Sequence, residues 1–123
     1  MVKKICRFNQ EDKKESNRSK KTGGPEVLEI DDIDEPSLKP GEVKIQVKAF
    51  GLNKGESLYR SGSPVYRGAF VPGQALGIEA VGEVIEDSSG ELKKGQKVGT
   101  PMGGMMFDRH GGYAEIISVM KGN

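Results

Sequence analysis

The clearest pattern along this chain runs over residues 42–50, where Val43, Ile45, Val47 and Ala49 alternate with Glu42, Lys44, Gln46 and Lys48. A two-residue period sends alternate side chains to opposite faces, so the segment predicts a β-strand with one buried and one wet face. Shorter apolar runs predict further strands. Residues 2–8, with Val2, Ile5, Cys6 and Phe8, predict a first strand, and residues 27–30 a second that the acidic run 31–35 and Pro36 should end. Residues 76–85 alternate loosely, and Gly77 and Gly82 mark a bend or the close approach of another backbone. Val98 opens a short strand and residues 113–120 form the last. Helix formers over residues 53–60 suffice for one or two helical turns. Many short strands separated by turn residues, with no alternation of strand and long helix, predict an all-β fold, a barrel or sandwich.

Composition supports this picture. Glycine takes 18 of 123 positions without a three-residue repeat, which points to frequent tight turns and excludes collagen. The length suits one domain. Residues 11–22, EDKKESNRSKKT, contain no aliphatic or aromatic side chain, so they predict a mobile loop that cannot offset the entropy of its own ordering. Five Lys/Arg against three Asp/Glu give this stretch a charge of +2, read either as an anion-binding patch or, more simply, as a solvated run. Residues 1–22 are thus a first strand plus loop, and residues 23–123 the barrel domain proper.

Nineteen basic and eighteen acidic residues balance to +1, too weak a field to imply nucleic acid or anionic lipid as a partner. The single cysteine, Cys6, forms no internal disulfide, in keeping with a reducing, cytoplasmic location. No stretch of signal-peptide character and no apolar run of about 18 residues occurs, so no membrane segment is expected.

The chemistry available is limited. A catalytic zinc site takes about three protein ligands and a structural one four, commonly cysteine and histidine, whereas this chain has one Cys and one His. No zinc is expected. His110, beside Asp108 and Arg109 in a glycine-flanked segment, reads as a general acid/base or, more simply, as an exposed loop histidine. There is no G-x-S-x-G nucleophile elbow and no G-x-G-x-x-G between a strand and a helix. Met102, Met105, Met106 and Phe107, with the segment from Pro64 to Pro72, are either core or contacts for a partner.

Seven pieces in order over residues 23–119 carry a resemblance: Gly23-Gly24-Pro25-Glu26-Val27-Leu28, Lys39-Pro40-Gly41-Glu42-Val43, Gly51-Leu52-Asn53, Tyr59-Arg60-Ser61-Gly62, Leu76-Gly77-Ile78-Glu79-Ala80-Val81-Gly82-Glu83-Val84, Lys94-Gly95-Gln96-Lys97-Val98 and Gly111-Gly112-Tyr113-Ala114-Glu115. The chain resembles the N-terminal part of the quinone-oxidoreductase-like, zinc-independent medium-chain dehydrogenases/reductases. The resemblance implies a GroES-like, partly open β-barrel with one or two short helical turns. In such enzymes a Rossmann domain binding NADP(H) or NAD(H) follows, and substrate sits in the cleft between the two.

In zinc-dependent members the positions of Asn53 and Ile78 carry the Cys and His ligands, and here both are lost. The resemblance suggests Asn53 as a polar contact near the nicotinamide and its ribose, the alternative being a turn residue after Gly51. It suggests Arg60 as a cleft or packing residue, and leaves Glu79 at an acidic cleft position, the alternative being a structural role in the absence of its companions. Leu58 stands where some relatives carry a tyrosine. No catalytic residue is assigned.

Two departures stand out: the interposed residues 11–22, and an end at Asn123, where relatives go on to the dinucleotide-binding fold. The function implied is the substrate-side domain of an NAD(P)H-dependent reductase of a quinone, enone or related carbonyl, incomplete as given and not expected to hold its cofactor tightly alone. The alternative is a stand-alone barrel used for binding or assembly, by self-association or with a Rossmann domain supplied in trans.

Overall fold

The computed structural model describes residues 13–122, and the strand expected over residues 2–8 lies outside them. The β-rich expectation holds: strands β1 (Lys13–Ser19), β2 (Leu28–Asp34), β3 (Glu42–Ala49), β4 (Glu79–Asp87), β5 (Lys97–Pro101) and β6 (Ile116–Met120) are joined by turns and one short helix, α1 (Lys54–Ser61). β1 pairs antiparallel with β2, and the other four form an antiparallel sheet in the order β5-β4-β3-β6. Among the described residues the two sheets do not close into a barrel.

The alternation in β3 has the expected effect on one face. Val43, Ile45 and Val47 are buried and pack with Val84 of β4 and with Ile117 and Val119 of β6. The other face is less simple. Glu42, expected to be wet, is buried, and it accepts hydrogen bonds from Ser118 Oγ at 2.9 Å, the Lys39 N–H at 3.1 Å and Arg109 Nη1 at 3.1 Å. Burial pushes its pKa up, but these donors outweigh it and leave the carboxyl below its ordinary value. Ala49, expected to be buried, is exposed, because a register shift between Val47 and Ala49 breaks the two-residue period at the end of the strand.

The loop expected over residues 11–22 is corrected by β1. A strand needs backbone partners more than apolar side chains, and Lys13–Ser19 finds them in a seven-residue ladder with β2. The acidic run that was expected to end β2 instead continues it to Asp34, and its Asp31 faces Arg18 of β1. Arg18 Nε donates to Asp31 Oδ2 at 3.1 Å, and Lys20 lies 3.4 Å from Glu29. Pairs of this kind contribute only about 0–1 kcal/mol each, so the backbone ladder dominates. Ser16 and Ser19 are buried, and single bridges from Ser16 to Ala114 and from Arg18 to Ala75 join β1 to the rest of the molecule.

A second cluster forms around Tyr59 of α1. Tyr66, Phe70 and Phe107 surround it with ring centroids 5.8, 5.4 and 5.3 Å away, and its hydroxyl accepts the Val71 N–H at 2.8 Å. The segment from Pro64 to Pro72 is therefore core by its aromatic side chains, although Val65 remains exposed. Met105 and Met106 are fully buried and also belong to the core, whereas Met102 is exposed.

Candidate functional site

Three strand ends converge on one side of the four-stranded sheet. The end of β3 with the residues after it (49–51), the start of β4 (79–81) and the end of β5 (99–101) enclose a cleft of about 440 Å³. Phe50, Ala80, Val81 and Pro101 make its walls mostly apolar, and Glu79 is the one titratable side chain lining it. Thr100 belongs to this wall and to that of a smaller cavity of about 80 Å³ behind it, and its buried hydroxyl has no hydrogen-bond partner.

Asn53 is the N-cap of α1, with extended backbone before the first helical turn, and reaches the cleft through its contact with Glu79. Its side-chain amide donates to Glu79 Oε1 at 3.3 Å, so two of the three expected site residues meet. Gly51 allows this approach, since a Cβ there would lie 1.7 Å from Glu79 Oε1. Arg60 is held elsewhere. It lies in the last turn of α1, where its Nε donates to the Gly23 carbonyl at 3.3 Å and its own carbonyl accepts the Gly23 N–H at 2.9 Å. These contacts serve packing, tying the helix to the turn between β1 and β2.

The residue behind the pair is Glu56, in the first turn of α1 and only 3% exposed. Its carboxylate accepts the Asn53 N–H at 3.1 Å, the Ile78 N–H at 3.1 Å and the Tyr113 hydroxyl. One buried acceptor thus joins the helix start, the entry to β4 and the loop before β6. Burial first, and then the adjacent Glu56 carboxylate, push the Tyr113 pKa well above its usual range. The Tyr113 ring packs on Phe50 with centroids 4.4 Å apart, which carries the arrangement to the cleft wall. Sequence reasoning missed Glu56, although the Asn53-x-x-Glu56 spacing of a capping pair was there to be read.

Tyr113 is placed by two chain segments crossing at van der Waals limits. The Gly111, Gly112 and Tyr113 N–H groups donate to the carbonyls of Ala75 (2.8 Å), Gly77 (3.2 Å) and Leu76 (2.8 Å). His110, expected as an exposed loop histidine, is half-buried beside this crossing. Its Nδ1 accepts the Ala75 N–H at 3.0 Å, which leaves the ring proton on Nε2. Burial, with a smaller contribution from the Arg18 charge, holds its pKa below the ordinary value, and no contact brings it to the cleft.

Among the described residues, no group of three or more His, Cys, Asp or Glu is placed to hold a metal ion, and no helix is long and apolar enough to cross a membrane.

Comparison with known proteins accords with this architecture. Residues 39–123 match the alcohol dehydrogenase GroES-like domain. A quinone oxidoreductase of Pseudomonas aeruginosa is 35% identical over 96 residues, which cover 76% of this chain and 27% of that protein. The quinone oxidoreductase of Coxiella burnetii superposes with a TM-score of 0.78 at 27% identity, over 89% of this chain and 35% of the other. The Escherichia coli quinone oxidoreductase complexed with NADPH does so with a TM-score of 0.70 at 28% identity, over 86% and 31%. The chain therefore spans roughly a quarter to a third of the length of these relatives. The pattern of motifs, the sheet order and these matches together make the chain a member of the alcohol dehydrogenase GroES-like domain family, on the quinone-oxidoreductase side of the medium-chain dehydrogenases/reductases.

Proposed function

We propose that this domain forms the substrate-side wall of an NADPH-dependent reductase acting on a quinone, enone or related carbonyl. The observation that carries the proposal is the apolar cleft with the Asn53–Glu79 pair at its lining. Its similarity to quinone oxidoreductases, one of them solved with NADPH, supports the same reading. So do three exposed apolar side chains, as a surface for another domain to cover: Leu52 next to Asn53, Val81 in the cleft wall and Met102 directly after β5.

The cleft suits the uncharged nicotinamide-ribose end of the cofactor and not its phosphates. No Lys, Arg or His lines it, while Asn53 and Glu79 offer an amide donor and carboxylate acceptors for sugar hydroxyls or a carboxamide. When bound, the cofactor supplies a hydride. The chain's own part is to orient and to exclude water: Phe50, Ala80 and Val81 wall the ring, Asn53 Nδ2 keeps its bond to Glu79 and exchanges its longer 3.5 Å contact with Glu56 for a substrate or cofactor oxygen, and Glu56 fixes the Asn53 backbone. Tyr113 is not the proton source, because its hydroxyl is engaged by Glu56 and its pKa is raised. Zinc has no place in this mechanism, as the amide of Asn53 and the alkyl chain of Ile78 are not its preferred ligands.

The test is the 123-residue chain joined, in place of the corresponding domain, to the remainder of the Escherichia coli quinone oxidoreductase. The fusion should oxidise NADPH with a neutral naphthoquinone. Asn53→Ser keeps a helix-capping side chain but loses reach, and should lower kcat/KM by about tenfold or more, the size of one lost hydrogen bond. A folded fusion that binds NADPH but turns over no quinone contradicts the proposal, and an unchanged Asn53→Ser removes Asn53 from it.

A further inference from the structure

The cleft is electrically one-sided. Glu79 is the one titratable side chain among its lining residues, and among the described residues no ion pair neutralises it. Its side-chain hydrogen bond is to the neutral Asn53 amide, at 3.3 Å. The space where a Gly51 side chain would sit holds the Glu79 carboxylate, so this solvent-exposed charge is kept beside the cleft lining. Walls such as Phe50, Val81 and Pro101 keep the local dielectric below that of water, which lengthens the reach of an unpaired charge.

Resting on the reading of this cleft as the substrate side, the geometry points to Glu79 as a charge filter. The cleft admits flat ring compounds that are uncharged or cationic, and rejects the same rings when they carry an anionic group. An anionic substituent held about 6 Å from Glu79, in a medium between protein and water, is disfavoured by about tenfold in affinity. The apolar walls give the same contact to both rings, so the difference resides in the charge alone. The cleft is open to solvent, and the discrimination should shrink as salt screens it.

The test uses the 123-residue chain itself, labelled for amide NMR and titrated with 2-naphthol and with 2-naphthol-6-sulfonate. The neutral compound should shift the amides of residues 49–51, 79–81 and 99–101 and bind at least about tenfold more tightly than the sulfonate. Raising the salt concentration should narrow the gap, and Glu79→Gln, of nearly the same shape, should close most of it. Equal binding of both compounds, or a gap that Glu79→Gln leaves intact, overturns the charge filter and leaves the cleft assignment standing. Binding of neither compound, or shifts confined to other parts of the molecule, contradicts the cleft assignment and the filter with it.

Discussion

Replacing Glu56 by alanine is expected to cost about 3–5 kcal/mol of folding stability, read as a lower urea midpoint with an unchanged slope. The residue sits in the first turn of a short helix, where a glutamate is ordinarily solvated, yet it is buried and serves three donors on three segments. Truncation leaves the Ile78 N–H and the Tyr113 hydroxyl without an acceptor in a place water does not readily enter, at about 1–3 kcal/mol for each such group. Because whole domains have only about 5–15 kcal/mol in hand, the variant should be close to unfolding at physiological temperature. Glu56→Gln should cost less, about 1–3 kcal/mol, since its amide oxygen still accepts while its NH₂ faces donors. Tyr113→Phe removes one donor and should cost about 1–2 kcal/mol. Combined with Glu56→Ala it should add little, because both substitutions break the same bond. A Glu56→Ala protein within about 1 kcal/mol of the parent, on the order of an ordinary surface change, would refute this role.

Gly111→Ala should be comparably severe for a different reason. A Cβ at this position would lie 2.2 Å from the Gly77 carbonyl oxygen and 2.4 Å from that of Leu76. Both obstacles are backbone, and both oxygens are already accepting N–H groups of the crossing segment, so neither can turn away without losing a hydrogen bond. Relief requires the two segments to part, which weakens the bonds from Gly111, Gly112 and Tyr113 and withdraws Tyr113 from Glu56. Overpacking and lost hydrogen bonds together give an expected loss of about 3–6 kcal/mol, or no cooperative unfolding at all. Gly99→Ala is the control: its added methyl meets the Val81 side chain at an ordinary 3.5 Å and should cost less than about 1 kcal/mol. Thermal unfolding of the two variants separates them, and similar melting temperatures would mean that the crossing is not as tight as described.

What was legible in the sequence follows from how each element is held. β3 announces itself because its strand is held by burial of alternate side chains, and Val43, Ile45 and Val47 carry that signal. β1 does not, because backbone pairing holds it, and among its described side chains the buried ones are the small polar Ser16 and Ser19. The same pairing explains why an acidic run that looked like a strand end extends β2. At the site, Asn53 and Glu79 were pointed to only by the family resemblance, and the structure brings them together. Arg60 was legible only as one of two alternatives, and its bonds to Gly23 select packing. Glu56 and the half-burial of His110 were hidden, since a carboxylate or imidazole gives no sign in sequence of the backbone N–H groups that fold onto it.

The central claim is that this domain meets the uncharged ring end of a dinucleotide and leaves the phosphates to another part of the protein. The most direct measurement is an amide NMR titration of the chain with two halves of the cofactor, reduced nicotinamide riboside and adenosine 2′,5′-bisphosphate. The account predicts weak, saturable shifts from the riboside at residues 49–51, 53, 79–81 and 99–101, and none there from the bisphosphate. Shifts of those residues by the bisphosphate, or by neither compound at millimolar concentration, would contradict it.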